Sequence, residues 1–131
     1  MASAGRVLVI DDDADFLDFV RIILESRGYE VITTESVEEG QRIWREWRPD
    51  VVLVDCMISY VLDGLNMISA VRADPELRAT PIVLISAIVS ASEDGLLPSG
   101  ERLECDAFIS KPVAPDELLR TVEALARRSD R

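Results

Sequence analysis

Two stretches of the chain, Val51-Val52-Leu53-Val54 and Ile82-Val83-Leu84-Ile85, are apolar at every position. A strand with one wet face alternates apolar and polar residues, so an unbroken run requires cover on both faces, as in a parallel sheet between helical layers. Further Val- and Ile-rich runs over residues 6–10, 30–34 and 107–109 complete a set of five predicted strands. The segments between them carry apolar residues at helical spacing. Phe16, Phe19, Val20, Ile23 and Leu24 mark a first helix, with Gly28 as its expected C-cap and Arg27 in its last turn. Val37, Gly40, Trp44 and Trp47 mark a second, capped by Ser36 and stopped before Pro49. Leu65, Ile68 and Val71 supply a third. Leu118, Leu119, Val122, Leu125 and Ala126, introduced by Pro115 and closed by Arg127 and Arg128, supply a fifth. Ser92-Glu93-Asp94-Gly95 and Pro98-Ser99-Gly100 interrupt the pattern after the fourth strand, so a fourth helix is expected to be short or irregular. Strands alternating with helices predict an α/β domain whose right-handed crossovers wind a parallel sheet with helices on both faces.

The chain has 131 residues, enough for one domain with its core over about residues 5–128 and no separate output domain. Its 25 acids against 14 bases give a net charge of −11, which argues against nucleic acid and against an anionic membrane surface as partners. No histidine is present, which excludes Ser-His triads and His-based zinc sites. Cys56 and Cys105 lack CxxC spacing and read as small buried hydrophobes in a reducing compartment. Residues 1–5 do not resemble the charged start of a signal peptide, and no apolar stretch approaches the roughly 20 residues that span a bilayer. A cytoplasmic location is expected.

Open parallel sheets bind ligands at the carboxyl ends of their strands. Those ends carry Asp11-Asp12-Asp13, Asp55, Ser86 and Ser110-Lys111-Pro112. Two carboxylates about 4 Å apart repel by roughly 4 kcal/mol at an effective dielectric of about 20, so something positive is required among them. Oxygen donors without His or thiolate suit a hard cation such as Mg²⁺, and Lys111 adds a point charge. A carboxylate cluster, a lone Asp, a hydroxyl and a Lys are together the equipment for moving a phosphoryl group, with a carboxylate as possible nucleophile. Asp13 and Asp15 read as acids favoured in the first turn of a helix. An EF-hand reading of Asp11-x-Asp13-x-Asp15 fails, because Phe16 stands where a Gly is demanded and Ile22 where a Glu is.

The residues resemble the receiver domains of two-component response regulators over nearly the whole chain. The resemblance rests on Val7-Leu8-Val9-Ile10-Asp11-Asp12-Asp13, Pro49-Asp50-Val51-Val52-Leu53-Val54-Asp55, Asp63-Gly64, Pro81-Ile82-Val83-Leu84-Ile85-Ser86-Ala87 and Asp106-Ala107-Phe108-Ile109-Ser110-Lys111-Pro112, all in order. It implies a flavodoxin-like, doubly wound five-stranded sheet of order 2-1-3-4-5. Asp55 would accept a phosphoryl group from a phosphohistidine on a histidine kinase or histidine phosphotransfer protein. Asp11, Asp12, Asp55 and the backbone carbonyl of Met57 would hold Mg²⁺; Ser86 and Lys111 would contact the phosphoryl group. Phe108 takes the place of the aromatic switch that follows Ser86, and the signalling face is the fourth helix, fifth strand and fifth helix. The resemblance also allows a cis Lys111–Pro112 bond and a homodimer.

The chain departs from the family pattern after Asp55, where Ser59 replaces a Pro and Asp63-Gly64 stand one position late. Met57 and Ile88 occupy positions at which the family often has polar groups that influence dephosphorylation, so slow loss of the phosphoryl group is expected. Two rival readings remain. One is a receiver-like interaction module that works without phosphorylation. The other is a small phosphatase resembling the haloacid dehalogenase family, with Asp11 as nucleophile and Asp13 as acid, which requires a further acidic motif on a strand after Lys111.

Overall fold

The computed structural model describes residues 4–55, 70–75, 77–86 and 106–129. The strands are β1 (Gly5–Ile10), β2 (Tyr29–Thr34), β3 (Val51–Asp55), β4 (Ile82–Ser86) and β5 (Ala107–Ser110). They form one parallel sheet of order β2-β1-β3-β4-β5, as expected for a doubly wound fold. Three helices have both ends described: α1 (Ala14–Glu25), α2 (Val37–Trp47) and α3 (Pro115–Ser129), the last being the fifth helix expected from the sequence. Residues 70–73 are also helical. The expected fourth helix, and both cysteines, lie outside the described residues.

The unbroken apolar runs have the meaning the pattern demanded. Val7, Val9, Val51, Leu53, Val83, Ile85 and Ile109 pack with Leu17, Val20 and Leu24 of α1 and Leu118, Val122, Leu125 and Ala126 of α3. The alternate positions Leu8, Ile10, Val52, Val54, Ile82 and Leu84 pack on the other face with Trp44 of α2, Val71 and Leu77. Strands β1, β3 and β4 therefore feed two separate cores, one per face, through the period-2 alternation of their side chains. Trp44 is fully buried, and its indole N–H donates to Thr80 Oγ1 at 3.1 Å, so its burial leaves no polar atom unsatisfied. Gly40 lets α2 approach β1 closely: a Cβ there would stand 2.5 Å from Ile10 Cδ1.

The helix ends refine the sequence expectations. Asp13 caps α1, its side chain accepting from Asp15 N–H and Phe16 N–H, and Ser36 caps α2 by accepting from Glu39 N–H. Gly28 is not the C-cap of α1; Ser26 is, in right-handed conformation. Arg27 N–H donates to Leu24 C=O and Gly28 N–H to Glu25 C=O, both at 3.0 Å, so tighter bonds extend the turn before Gly28 reverses the chain at φ 88°. Phe19, placed by its spacing on the apolar stripe, is 40% exposed, and Leu17 is buried instead. At 100° per residue the two lie about 200° apart around the helix, so only one can face the sheet.

Candidate functional site

Strand register sets the site. Ile10 of β1 pairs with Val54 of β3, so Asp11 and Asp55 come side by side at the carboxyl edge. The ladder to β2 continues through Asp11, whose N–H donates to Thr34 C=O at 3.1 Å. Asp11, Asp55 and Lys111 each stand two residues beyond Val9, Leu53 and Ile109, which share the core under α1 and α3. Period-2 alternation directs all three toward that same face.

There the Lys111 ammonium donates to Asp11 Oδ2 at 3.1 Å and to Asp55 Oδ2 at 3.2 Å. Asp11 is wholly buried, Asp55 is 5% exposed and the Lys111 side chain 22%. Asp11 Oδ1 accepts from Asp13 N–H at 2.9 Å, which ties the carboxylate to the turn that starts α1. On its remaining side Lys111 Nζ lies 4.4 Å from the centroid of the Phe16 ring. The bond between Lys111 and Pro112 is cis, as the resemblance allowed.

Burial pushes the Asp11 carboxyl up from 3.8 to about 6; the Asp13 N–H opposes the rise, the Asp55 charge adds to it and Lys111 opposes it. For Lys111 burial alone would lower the value, but its hydrogen bonds and charge interactions with Asp11 and Asp55 outweigh burial and raise it. Among the described residues Lys111 is the ammonium that faces both Asp11 and Asp55.

Asp11, Asp12 and Asp55 each present a carboxylate oxygen, all within 4.8 Å of one another. Asp11 and Asp55 are buried and Asp12 is exposed. Three hard oxygen donors open to solvent on one side, with no imidazole or thiolate among them, match Mg²⁺ rather than a thiophilic metal. The structure therefore brings together four of the residues singled out in the sequence: Asp11, Asp12, Asp55 and Lys111. Ser86 ends β4 opposite Ser110, and Phe108 pairs in register with Leu84. The side chains of Ser86 and Phe108, the whole of Met57, and the altered loop with Ser59 and Asp63-Gly64 lie outside the described residues. The sequence reading missed the contact of Phe16 with Lys111. A usable signal was present, since Phe16 stands three residues after the cap Asp13, in the helical turn nearest the strand end.

The response regulator receiver domain family matches residues 7–123. The DNA-binding response regulator MtrA of Mycobacterium tuberculosis is 34% identical over 126 residues, spanning 95% of this chain and 52% of MtrA. The DNA-binding dual master transcriptional regulator RpaA of Synechocystis is 32% identical over 96% of this chain and 51% of its own. The chain thus spans about half the length of those two relatives. The polar-differentiation response regulator DivK of Brucella anthropi is 29% identical over 90% of this chain and 93% of DivK. Among solved structures, the receiver domain of the Francisella response regulator 1452 superposes with a TM-score of 0.82 at 27% identity, covering 96% of this chain and 99% of that one. CheY4 of Vibrio cholerae gives a TM-score of 0.79 at 26% identity over 92% and 98% of the two chains. The order of the sheet, the acids gathered with one lysine at its carboxyl edge and the match over residues 7–123 agree: this chain belongs to the response regulator receiver domain family of two-component systems.

Proposed function

We propose that the domain accepts a phosphoryl group on Asp55 from a phosphohistidine of a histidine kinase or histidine phosphotransfer protein. The observation that carries this reading is Lys111 Nζ held between Asp11 and Asp55 beside a third carboxylate. An Asp55 oxygen attacks phosphorus, the P–N bond to the donor imidazole breaks, and its electron pair returns to the imidazole nitrogen. The chain has no histidine, so the donor must be another protein or domain.

Asp11, Asp12 and Asp55, with the carbonyl of Met57, would hold Mg²⁺, which when bound would supply charge to the phosphoryl oxygens. Asp11 is fixed by the Asp13 N–H before any ligand arrives, so ordering the site costs little at the moment of reaction. Lys111 lies within reach of an oxygen on phosphorylated Asp55, and Ser86, at the end of the neighbouring strand, is assigned the hydroxyl contact. Ser86 and Phe108 then relay occupancy to the signalling face of the fourth helix, β5 and α3. Family membership and the buried acids support these assignments.

Among the described residues no helix is long and apolar enough to cross a membrane, which is consistent with the proposed cytoplasmic location. The phosphatase reading needs an acidic motif on a strand after Lys111; the described chain runs from there into α3 with no further strand.

Acetyl phosphate with Mg²⁺, followed by intact mass, tests the proposal. One added phosphoryl group is expected, persisting for minutes or longer and absent when a chelator removes Mg²⁺. An unmodified protein would favour the phosphorylation-independent module, and steady acetyl phosphate hydrolysis without a modified species would favour the phosphatase.

A further inference from the structure

We propose that Phe16 is a positioning residue for phosphoryl transfer, its ring holding the Lys111 ammonium from the side that neither carboxylate occupies. The proposal rests on the phosphoacceptor reading and assigns a part to a residue that the sequence pattern treats as plain core.

Lys111 is the chain's single lysine, every other basic side chain being an arginine. Its ammonium sits on a flexible four-carbon stem with three rotatable donors, so something must select one position for it. Asp11 Oδ2 at 3.1 Å and Asp55 Oδ2 at 3.2 Å take two of its directions. The Phe16 ring, its centroid 4.4 Å from Nζ, stands on a third. An aromatic face attracts a cation but offers no acceptor oxygen, so it holds the ammonium without competing for the N–H that a phosphoryl oxygen needs. The attraction is also spread over the ring face. Nζ can move from the Asp55 oxygen to an oxygen on phosphorus without breaking a directed bond to Phe16.

Surroundings give the ring a second consequence. On α1 and its cap, Phe16 has Asp13 and Asp15 on one side in sequence and Asp18 on the other. Any of these acids in its place would offer the lysine a competing ion pair. The ion pairs of Lys111 are instead with Asp11 and Asp55. The ring is itself held, being partly buried against the core under α1 and 6.2 Å from the Phe19 ring, centroid to centroid.

The test uses acetyl phosphate, because a small donor removes any effect of α1 on docking a protein. Phosphorylation rate is followed by intact mass in wild type, Phe16→Leu and Phe16→Tyr. Mg²⁺ affinity is measured by NMR titration. Because the chain has a single lysine, lysine-selective labelling gives one ε-methylene signal, which reports ring contact directly. Wild type and Phe16→Tyr are expected to show that signal shifted upfield and to phosphorylate at similar rates. Phe16→Leu is expected to lose the shift and to react about three- to tenfold more slowly, the range of a partly desolvated cation–π contact, with Mg²⁺ affinity within about twofold. Three results would overturn the positioning role: Phe16→Leu reacting like wild type, Phe16→Tyr failing as badly as Phe16→Leu, or Mg²⁺ affinity falling in step with rate. A wild type that takes no phosphoryl group, though its lysine signal is shifted upfield, refutes the phosphoacceptor reading and the present proposal with it.

Discussion

Two ionic clusters stand at opposite ends of the same sheet and differ in what their charges are tied to among the described residues. At the carboxyl edge one ammonium, Lys111, faces two buried carboxylates with a third nearby. At the other edge Arg72 meets Asp106 at 2.9 Å, and both are tied to main chain. Asp106 Oδ2 also accepts from Ile82 N–H at 2.8 Å, and Arg72 Nη1 donates to Arg78 C=O at 2.5 Å and Thr80 C=O at 3.0 Å. This second cluster fastens the start of β4 to the helical turn over residues 70–73. Among the described residues the carboxyl-edge cluster gathers three acids about one ammonium, an excess that is costly for folding and useful for binding a cation.

If that contrast is right, substitutions at the two ends should separate activity from stability. Asp55→Asn is expected to abolish phosphoryl acceptance, read by intact mass, while the protein remains folded. Asp106→Ala takes an acceptor from both Ile82 N–H and Arg72, and should lower stability by about 2 kcal/mol. A shifted urea midpoint at unchanged slope, with Mg²⁺ affinity unaltered, would confirm a purely structural part.

Asp11→Asn should act in the opposite direction. Asp11 is raised to about 6, so between about pH 4 and 6 the folded chain binds more protons than the unfolded one. Stability is then lost as pH rises through that window, by at most about 3 kcal/mol at roughly 1.4 kcal/mol per pH unit. Asparagine carries no such charge, and the Lys111 attraction it gives up is already netted in the value of about 6. The variant should gain up to about 3 kcal/mol over wild type at pH 7 without Mg²⁺, gain nothing at pH 4, and lose most of the stabilisation that Mg²⁺ gives wild type. Melts at the two pH values, with and without the ion, check each arm. The smallest effect is expected from Glu30→Ala, which removes a 3.8 Å pair with Arg6 whose side chains are 47% and 57% exposed; it should cost less than about 0.5 kcal/mol by urea melt.

Much of this arrangement was legible in the sequence, and the gaps have physical reasons. The five strands were placed to within one residue: β1 and β2 start one residue earlier, at Gly5 and Tyr29, and β3, β4 and β5 each run one residue further, into Asp55, Ser86 and Ser110. Hydropathy ends at those residues while backbone pairing does not, and Asp55 owes its fixed position to that last pairing. The carboxylate cluster and its lysine were legible because a parallel sheet gathers strand ends whatever their separation in sequence. Burial on α1 was less so: Phe19 and Leu17 are both apolar, and only the angle of the helix against the sheet decides that Leu17 is covered. The same angle puts Phe16 against Lys111. The pairing of Arg72 with Asp106 gave no signal, since 34 residues separate them and Asp106 was legible only as the start of the motif that ends in Lys111-Pro112.

The central claim is that Asp55, of the three clustered acids, becomes the phosphorylated residue. Borohydride reduces an aspartyl phosphate to homoserine, so treatment after reaction with acetyl phosphate and Mg²⁺, followed by peptide mass mapping, identifies the carboxylate directly. Homoserine at position 55 is the expected result. Homoserine at position 11, or none at any position under conditions that consume acetyl phosphate, would contradict the account.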